Sequence, residues 1–190
     1  MKQVATILIC LLTLGCTRTS IQSLIHPELG DRVYTHICVH GNFDNIELKK
    51  AIEDKVASET KKRRVECIKF SEVYSFYSSD DSILADLHAK RVQAILVITP
   101  GKAGTTEFYI PPTTTSTTTG SITKTTASGG YRGVNPWSTT TAELYDIQTG
   151  NKVWRASAST KGNAFANFKN LARSVGGKIV VKLMQDGLIP

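Results

Sequence analysis

Between residues 33 and 99 the spacing of apolar side chains changes four times, and each change restricts the fold. A period of two marks a strand and a period near 3.6 marks a helix. Val33 to Val39 alternates, with Val33, Thr35, Ile37 and Val39 on one face and Tyr34, His36, Cys38 and His40 on the other. Gly41 ends that strand. Asp44 with Glu47 three positions on resembles a capping box, and Leu48, Ile52 and Val56 with Ala51 between them predict an amphipathic helix over 45–63. Val65, Cys67, Ile68 and Phe70 form a second strand at about 65–71, Ser79-Asp80-Asp81 opens a helix carrying Ile83, Leu84 and Leu87, and Ala94 to Thr99 is a continuous apolar run. Such a run reads as a parallel strand buried on both faces. The order is β-α-β-α-β, and right-handed crossovers place the first strand between the other two, with the helices expected on one face.

The second half is different in character. Pro100 to Ser138 reads as loop, because twelve of the sixteen residues from Thr113 to Ser128 are Ser or Thr. Ala142–Ile147 and Lys152–Ser159 then flank Gln148-Thr149-Gly150-Asn151 as a hairpin. A last helix from about Asn163 to Met184 offers Phe165, Phe168, Leu171, Ala172, Val175, Ile179 and Leu183 for burial, with a bend at Gly176-Gly177. The expected fold is an α/β two-layer sandwich: a mixed sheet of about five strands with helices on one face, in the order β-α-β-α-β-β-β-α. The expected units are a signal peptide over 1–15, a lipidated tether over 16–31, and one domain over 32–190 with a Ser/Thr/Gly-rich loop inserted at about 105–141.

The signal is read from Lys2 and the twelve uncharged residues Val4 to Gly15, too short to span a bilayer core that needs about 20 helical residues. Leu12-Thr13-Leu14-Gly15-Cys16 resembles the lipobox of bacterial lipoproteins, which implies acylation of Cys16 and cleavage before it. Thr17 stands where a retention Asp would be, which favours the outer membrane, periplasmic face. The chain of 190 residues carries +7, of which Lys2 leaves with the signal. A basic protein in the periplasm meets headgroups, acidic glycans and envelope proteins, so nucleic acid is excluded as a partner. The run Lys61-Lys62-Arg63-Arg64 sits where a helix ends, and cations there complement the carbonyl end of its dipole.

Motifs for catalysis are missing. Pro100-Gly101-Lys102 lacks the hydroxyl residue of a phosphate loop, Gly129-Gly130-Tyr131-Arg132-Gly133 precedes Asn-Pro and not a helix, and neither G-x-S-x-G nor H-E-x-x-H occurs. His36-x-Cys38-x-His40 lies on one strand face, but third and fourth ligands for zinc are not identifiable, so neither a metal nor a cofactor is expected. Cys38 and Cys67, on neighbouring strands, read either as a disulfide or as two buried thiols, since register decides between them. Trp154 reads as a packing residue. Tyr131, Arg132 and Trp137 are types enriched at interface hot spots and are the candidate partner-binding residues of a mobile flap.

Ala142-Glu143-Leu144-Tyr145-Asp146-Ile147-Gln148-Thr149-Gly150-Asn151-Lys152-Val153-Trp154, with the order of elements, resembles the envelope lipoproteins with a TolB N-terminal-like fold. That group includes curli-secretion-type lipoproteins and lipoprotein activators of peptidoglycan synthases. The resemblance implies a non-enzymatic binding or assembly factor for a cell-envelope machine, held at the outer membrane by its lipid and contacting envelope proteins. A ring-forming structural subunit of a secretion apparatus and a periplasmic enzyme are the alternatives, and the oligomeric state stays open. Thr113 to Ser128 offers only Ile122 and Ala127 as apolar residues, whereas a transmembrane strand needs about 9–11 alternating ones; a pore is disfavoured.

Overall fold

A computed structural model of the chain describes residues 16–27, 32–74 and 80–190. The signal-peptide reading lies outside the described residues, as do Ser79 and the side chains of Asp80 and Asp81. Among the described residues eight strands and four helices follow in the order β1 (Thr17–Ile25), β2 (His36–Gly41), α1 (Ile46–Lys61), β3 (Glu66–Lys69), α2 (Phe70–Val73), α3 (Asp80–Ala89), β4 (Ala94–Ile110), β5 (Thr113–Thr119), β6 (Ile122–Ser128), β7 (Tyr131–Asp146), β8 (Lys152–Gly162) and α4 (Phe168–Gln185). Six strands form a mixed sheet in the order β1-β8-β7-β4-β2-β3, and β5 and β6 form a separate pair. The α/β class, the mixed sheet and the central place of β2 between β3 and β4 are as expected, with one strand more than the five anticipated.

The core lies on one face. Ile37 and Val39 of β2, Leu96 and Ile98 of β4, Leu144 of β7 and Trp154 of β8 pack against Ile52 and Val56 of α1 and against Val175, Ile179 and Leu183 of α4. The helix α3 departs from the expectation that all helices share this face, since Leu87 packs with Cys38, which points the other way from Ile37. The chain moves from β2 to β3 in one direction across the sheet and from β3 back past β2 to β4 in the other. Two right-handed crossovers running in opposite directions put their helices on opposite faces.

Local corrections have local causes. The cap of α1 is Asn45, whose side-chain oxygen accepts from the Leu48 amide at 3.0 Å, in place of the expected Asp44 box. At the far end of α1, Arg63 Nη1 donates to the Glu59 carbonyl at 2.9 Å, a last-turn contact of the kind the basic run implied. Lys55 and Lys62 hold the Glu59 carboxyl near a pKa of about 2 through their hydrogen bonds. α4 starts at Phe168, capped by Asn167 on the Asn170 amide at 2.9 Å, so Phe165 lies before the helix and is exposed, not buried.

Two larger corrections concern segments expected to be irregular. Thr17–Ile25, expected as tether, is an edge strand paired antiparallel with β8 over its whole length. Thr19 Oγ1 meets Ser174 Oγ at 2.8 Å and Thr160 Oγ1 at 3.0 Å, and Ser23 Oγ donates to Asp186 at 2.6 Å. Residues 105–141, expected as a mobile loop, are mostly strand: β4 and β7 continue past the body as a two-stranded ribbon, and β5 and β6 form a hairpin at its tip. Thr has high strand propensity because its branched Cβ suits an extended backbone. Gly120, Gly129 and Gly130 take positive φ at the tip turn and where the ribbon meets the tip, which only Gly does freely.

Candidate functional site

Cys16 is exposed and stands directly before β1; its carbonyl accepts from the Asn163 amide at 3.0 Å. Thr17 pairs with Gly162, and Trp137 on the other side of β8 pairs with Lys161. The start of β1 and the root of the ribbon are therefore at the same end of the sheet, separated only by β8. Among the described residues the sheet begins at Thr17, one residue after Cys16.

The ribbon has two unlike faces. Pairing places Trp137, Phe108, Tyr131 and Ile110 on the face away from α1 and α4, and Glu107, Tyr109, Arg132 and Val134 on the other. Trp137 lies over Gly104, where a Cβ would come within 3.1 Å of the indole, so this Trp is partly buried against backbone. Further out, Phe108 packs at 5.8 Å from Tyr131 and Arg132 sits 5.6 Å from the Tyr109 ring. Tyr109, Ile110, Tyr131 and Val134 are about half exposed, and an open cleft of about 740 Å³ runs along Glu107, Tyr109, Arg132, Val134 and Ala164. Tyr131 and Arg132 are both exposed but on opposite faces of the ribbon, Tyr131 beside Phe108 and Arg132 beside Tyr109, while Trp137 serves its root. Phe108 on the first face and Tyr109 and Val134 on the second line the same ribbon and were not anticipated; the signal was the run Glu107-Phe108-Tyr109-Ile110, read as loop because the Ser/Thr content around it masked strand periodicity.

The two cysteines do not meet. Cys67 pairs with Ile37 and Cys38 with Ile68, so the one-residue offset puts their side chains on opposite faces, and both thiols are free. Burial pushes each thiol up to about 12. His36, Cys38 and His40 do share a face, but their surroundings are those of packing: His36 Nε2 is 3.3 Å from Glu66, Cys38 is in the α3 cluster, and His40 stacks edge-on to Phe70 at 4.4 Å. Among the described residues no three His, Cys, Asp or Glu side chains are placed to share a metal ion. Burial lowers the His40 pKa, and its Nδ1 has no hydrogen-bond partner.

Asp146, in the turn motif, is structural. Its Oδ1 accepts from the Thr149 amide at 2.9 Å and the Thr149 hydroxyl at 3.1 Å, closing the turn, while Oδ2 takes Arg32 at 2.6 Å and Tyr34 at 3.0 Å. Burial opposes its charge, but these four donors together hold its pKa below the ordinary value. Trp154 is buried as expected, with Nε1 donating to Asp186 at 2.7 Å.

No family model and no curated protein matches the sequence. Among solved structures, a variant of PelC from Paraburkholderia phytofirmans, described as a dodecamer, superposes with a TM-score of 0.52 at 14% identity over 86% of this chain and 97% of that one. A second PelC dodecamer from that organism gives 0.49 at 11% identity, covering 87% and 97%, and the lipoprotein GNA1162 from Neisseria meningitidis gives 0.45 at 13%, covering 80% and 99%. The first of these shows a shared fold.

Proposed function

We propose that this chain is a lipid-anchored, non-enzymatic factor of the bacterial outer membrane that binds or assembles part of an envelope machine, with acyl chains on Cys16 and its contacts on the ribbon. The observation that carries this reading is the placement of an exposed Cys16, one residue before Thr17 of β1, at the end of the sheet from which the ribbon leaves. A tether of about fifteen residues would let the body range about 50 Å from its membrane. With Thr17–Ile25 built into the sheet, that reach is gone and the ribbon root lies beside the headgroups. The net positive charge supports the same setting, since basic groups near an anionic leaflet each gain about 1 kcal/mol. The dodecameric state of the similar PelC chain supports self-association as the working form.

Labelling with a palmitate analogue and membrane fractionation test the anchor, and affinity purification of the intact protein from mild detergent tests the contacts. Wild-type protein is expected in the outer-membrane fraction carrying label, Cys16→Ser in the soluble periplasm without it. Copurifying envelope proteins should be lost with Tyr131→Ala and Arg132→Ala together. Label-free wild-type protein, or partners undiminished by the double variant, would overturn the reading.

A further inference from the structure

Past Ile98 the outer edge of β4 loses its neighbour β2, and before Trp137 the outer edge of β7 loses β8. From Ala103 to Ile110 and from Tyr131 to Pro136 the ribbon is therefore two strands wide. Among the described residues no other backbone hydrogen bond reaches those edges. The tip repeats the pattern, with β5 and β6 pairing only with each other. A two-stranded hairpin without a core is at best marginal in water, and an edge of unpaired N–H and C=O groups is a template for a further strand. Sheets usually block such edges with charges or proline. Here residues 103–138 contain only Glu107, Lys124 and Arg132 as charged side chains, and their prolines are confined to the root, Pro136, and the joint, Pro111 and Pro112.

We infer that these edges are the contact between copies of this chain: the free edge of β4 in one copy pairs with the free edge of β7 in the next. The inference rests on the self-association included in the function proposed above and names the surface that performs it. β4 runs away from the body and β7 runs back, so copies standing side by side with ribbons parallel present antiparallel edges, the better-paired arrangement. Each copy carries both halves of the contact in similar length, which a foreign partner would have to supply along two different edges. Charge fits as well. Glu107 and Arg132 are on the same ribbon face, one on each strand, so lateral pairing brings the Glu107 edge of one copy towards the Arg132 edge of its neighbour. Half-exposed Tyr109 and Val134 on that face gain cross-strand neighbours in the same step. Because the two edges differ, the contact is head-to-tail and repeats until a ring closes, and a closed ring of strands has no edge left.

The test uses full-length protein in mild detergent. Two variants with one added cysteine each are co-expressed, one carrying Thr105→Cys or Glu107→Cys and the other Arg132→Cys or Val134→Cys, so that a cross-link mapped to these sites by peptide mass joins β4 of one copy to β7 of another. Adjacent paired strands are about 4.8 Å apart, inside the window for a disulfide. Oxidised dimers at several-fold higher yield in the mixture than in either variant alone are expected. In parallel, a variant with Gly104 joined to Trp137 through Asn-Gly is expected to run as a monomer by light scattering where the intact chain runs as a multimer. Mixed cross-links no more frequent than in either variant alone, or a ribbonless chain of undiminished mass, would overturn the inference while leaving self-association standing. A monomeric intact chain would overturn both. Acylation of Cys16, read in the same samples by mass, fails or holds independently.

Discussion

Replacing Asp186 by Asn strikes the point where β1, β8 and α4 are joined. The carboxylate, 9% exposed, accepts from Ser23 Oγ at 2.6 Å and Trp154 Nε1 at 2.7 Å on Oδ2, and from Lys182 Nζ at 2.7 Å on Oδ1. In the Asn variant the amide oxygen can serve Ser23 and Trp154, but the amide nitrogen then faces the Lys182 ammonium, which must turn to water. Hydrogen bonds to a charged acceptor contribute about 1.5–3 kcal/mol against about 1 for neutral pairs, so weakening two of them costs about 1–3 kcal/mol, and the partly exposed Lys182 pair adds about 0–1. Against this, an anion at a helix C-terminus is disfavoured by about 0.3–1 kcal/mol, and its loss is a gain. The net is a destabilisation of about 2 kcal/mol, or about 4–8 °C in Tm for a chain of this size. Burial raises the Asp186 pKa, but Lys182, Ser23 and Trp154 outweigh it and hold the value below the ordinary 3.8. A depressed carboxylate contributes stability above its unfolded pKa and loses it as pH falls through the folded one. Thermal melts by circular dichroism should therefore show the largest gap between wild type and variant near pH 7, narrowing below pH 3.8. Equal Tm values at pH 7, or a gap that widens on acidification, would refute the reasoning.

Other outcomes follow from the same geometry. Asp146→Ala leaves the Tyr34 hydroxyl and the Thr149 amide without their acceptor, and urea unfolding should show a loss of about 3 kcal/mol; a loss below 1 would show that the turn closes without it. Cys38, fully buried and with its pKa pushed to about 12, should react with a thiol reagent at pH 8 only as fast as the protein opens, and more slowly than the half-buried Cys67; rapid labelling of Cys38 would contradict its burial. Excising 105–136 as above removes no residue of the main apolar cluster, so the Tm should change by less than about 4 °C, and a collapse in stability would mean that the ribbon supports the body.

What was legible in the sequence was what packs. The β-α-β-α-β half carries its own periodicity because each strand and helix buries an apolar face, and Ile37, Ile52, Val56, Leu96 and Ile98 are all fully buried. Strand β1 was missed because its inward side chains include Thr19 and Ser23, whose partners are hydroxyls and a carboxylate from α4 and β8, a complement that only the tertiary fold brings. The ribbon was missed for the opposite reason: with solvent on both faces nothing selects an alternation, and only the strand propensity of Thr remained as a signal. Cys38 and Cys67 depended on a one-residue register between β2 and β3 that composition does not encode. The cysteine proposed here to carry lipid was readable in one dimension as Gly15-Cys16, whereas the place of Cys16 beside the ribbon root is a property of sheet order.

The most direct test of the anchored arrangement is the intact mass of the protein extracted from membranes, with fragmentation of its first residues. The expected result is a chain that starts at Cys16 and carries diacylglyceryl and N-acyl mass on that residue. A chain that retains residues 1–15, or one that begins at Cys16 with an unmodified thiol, would contradict it.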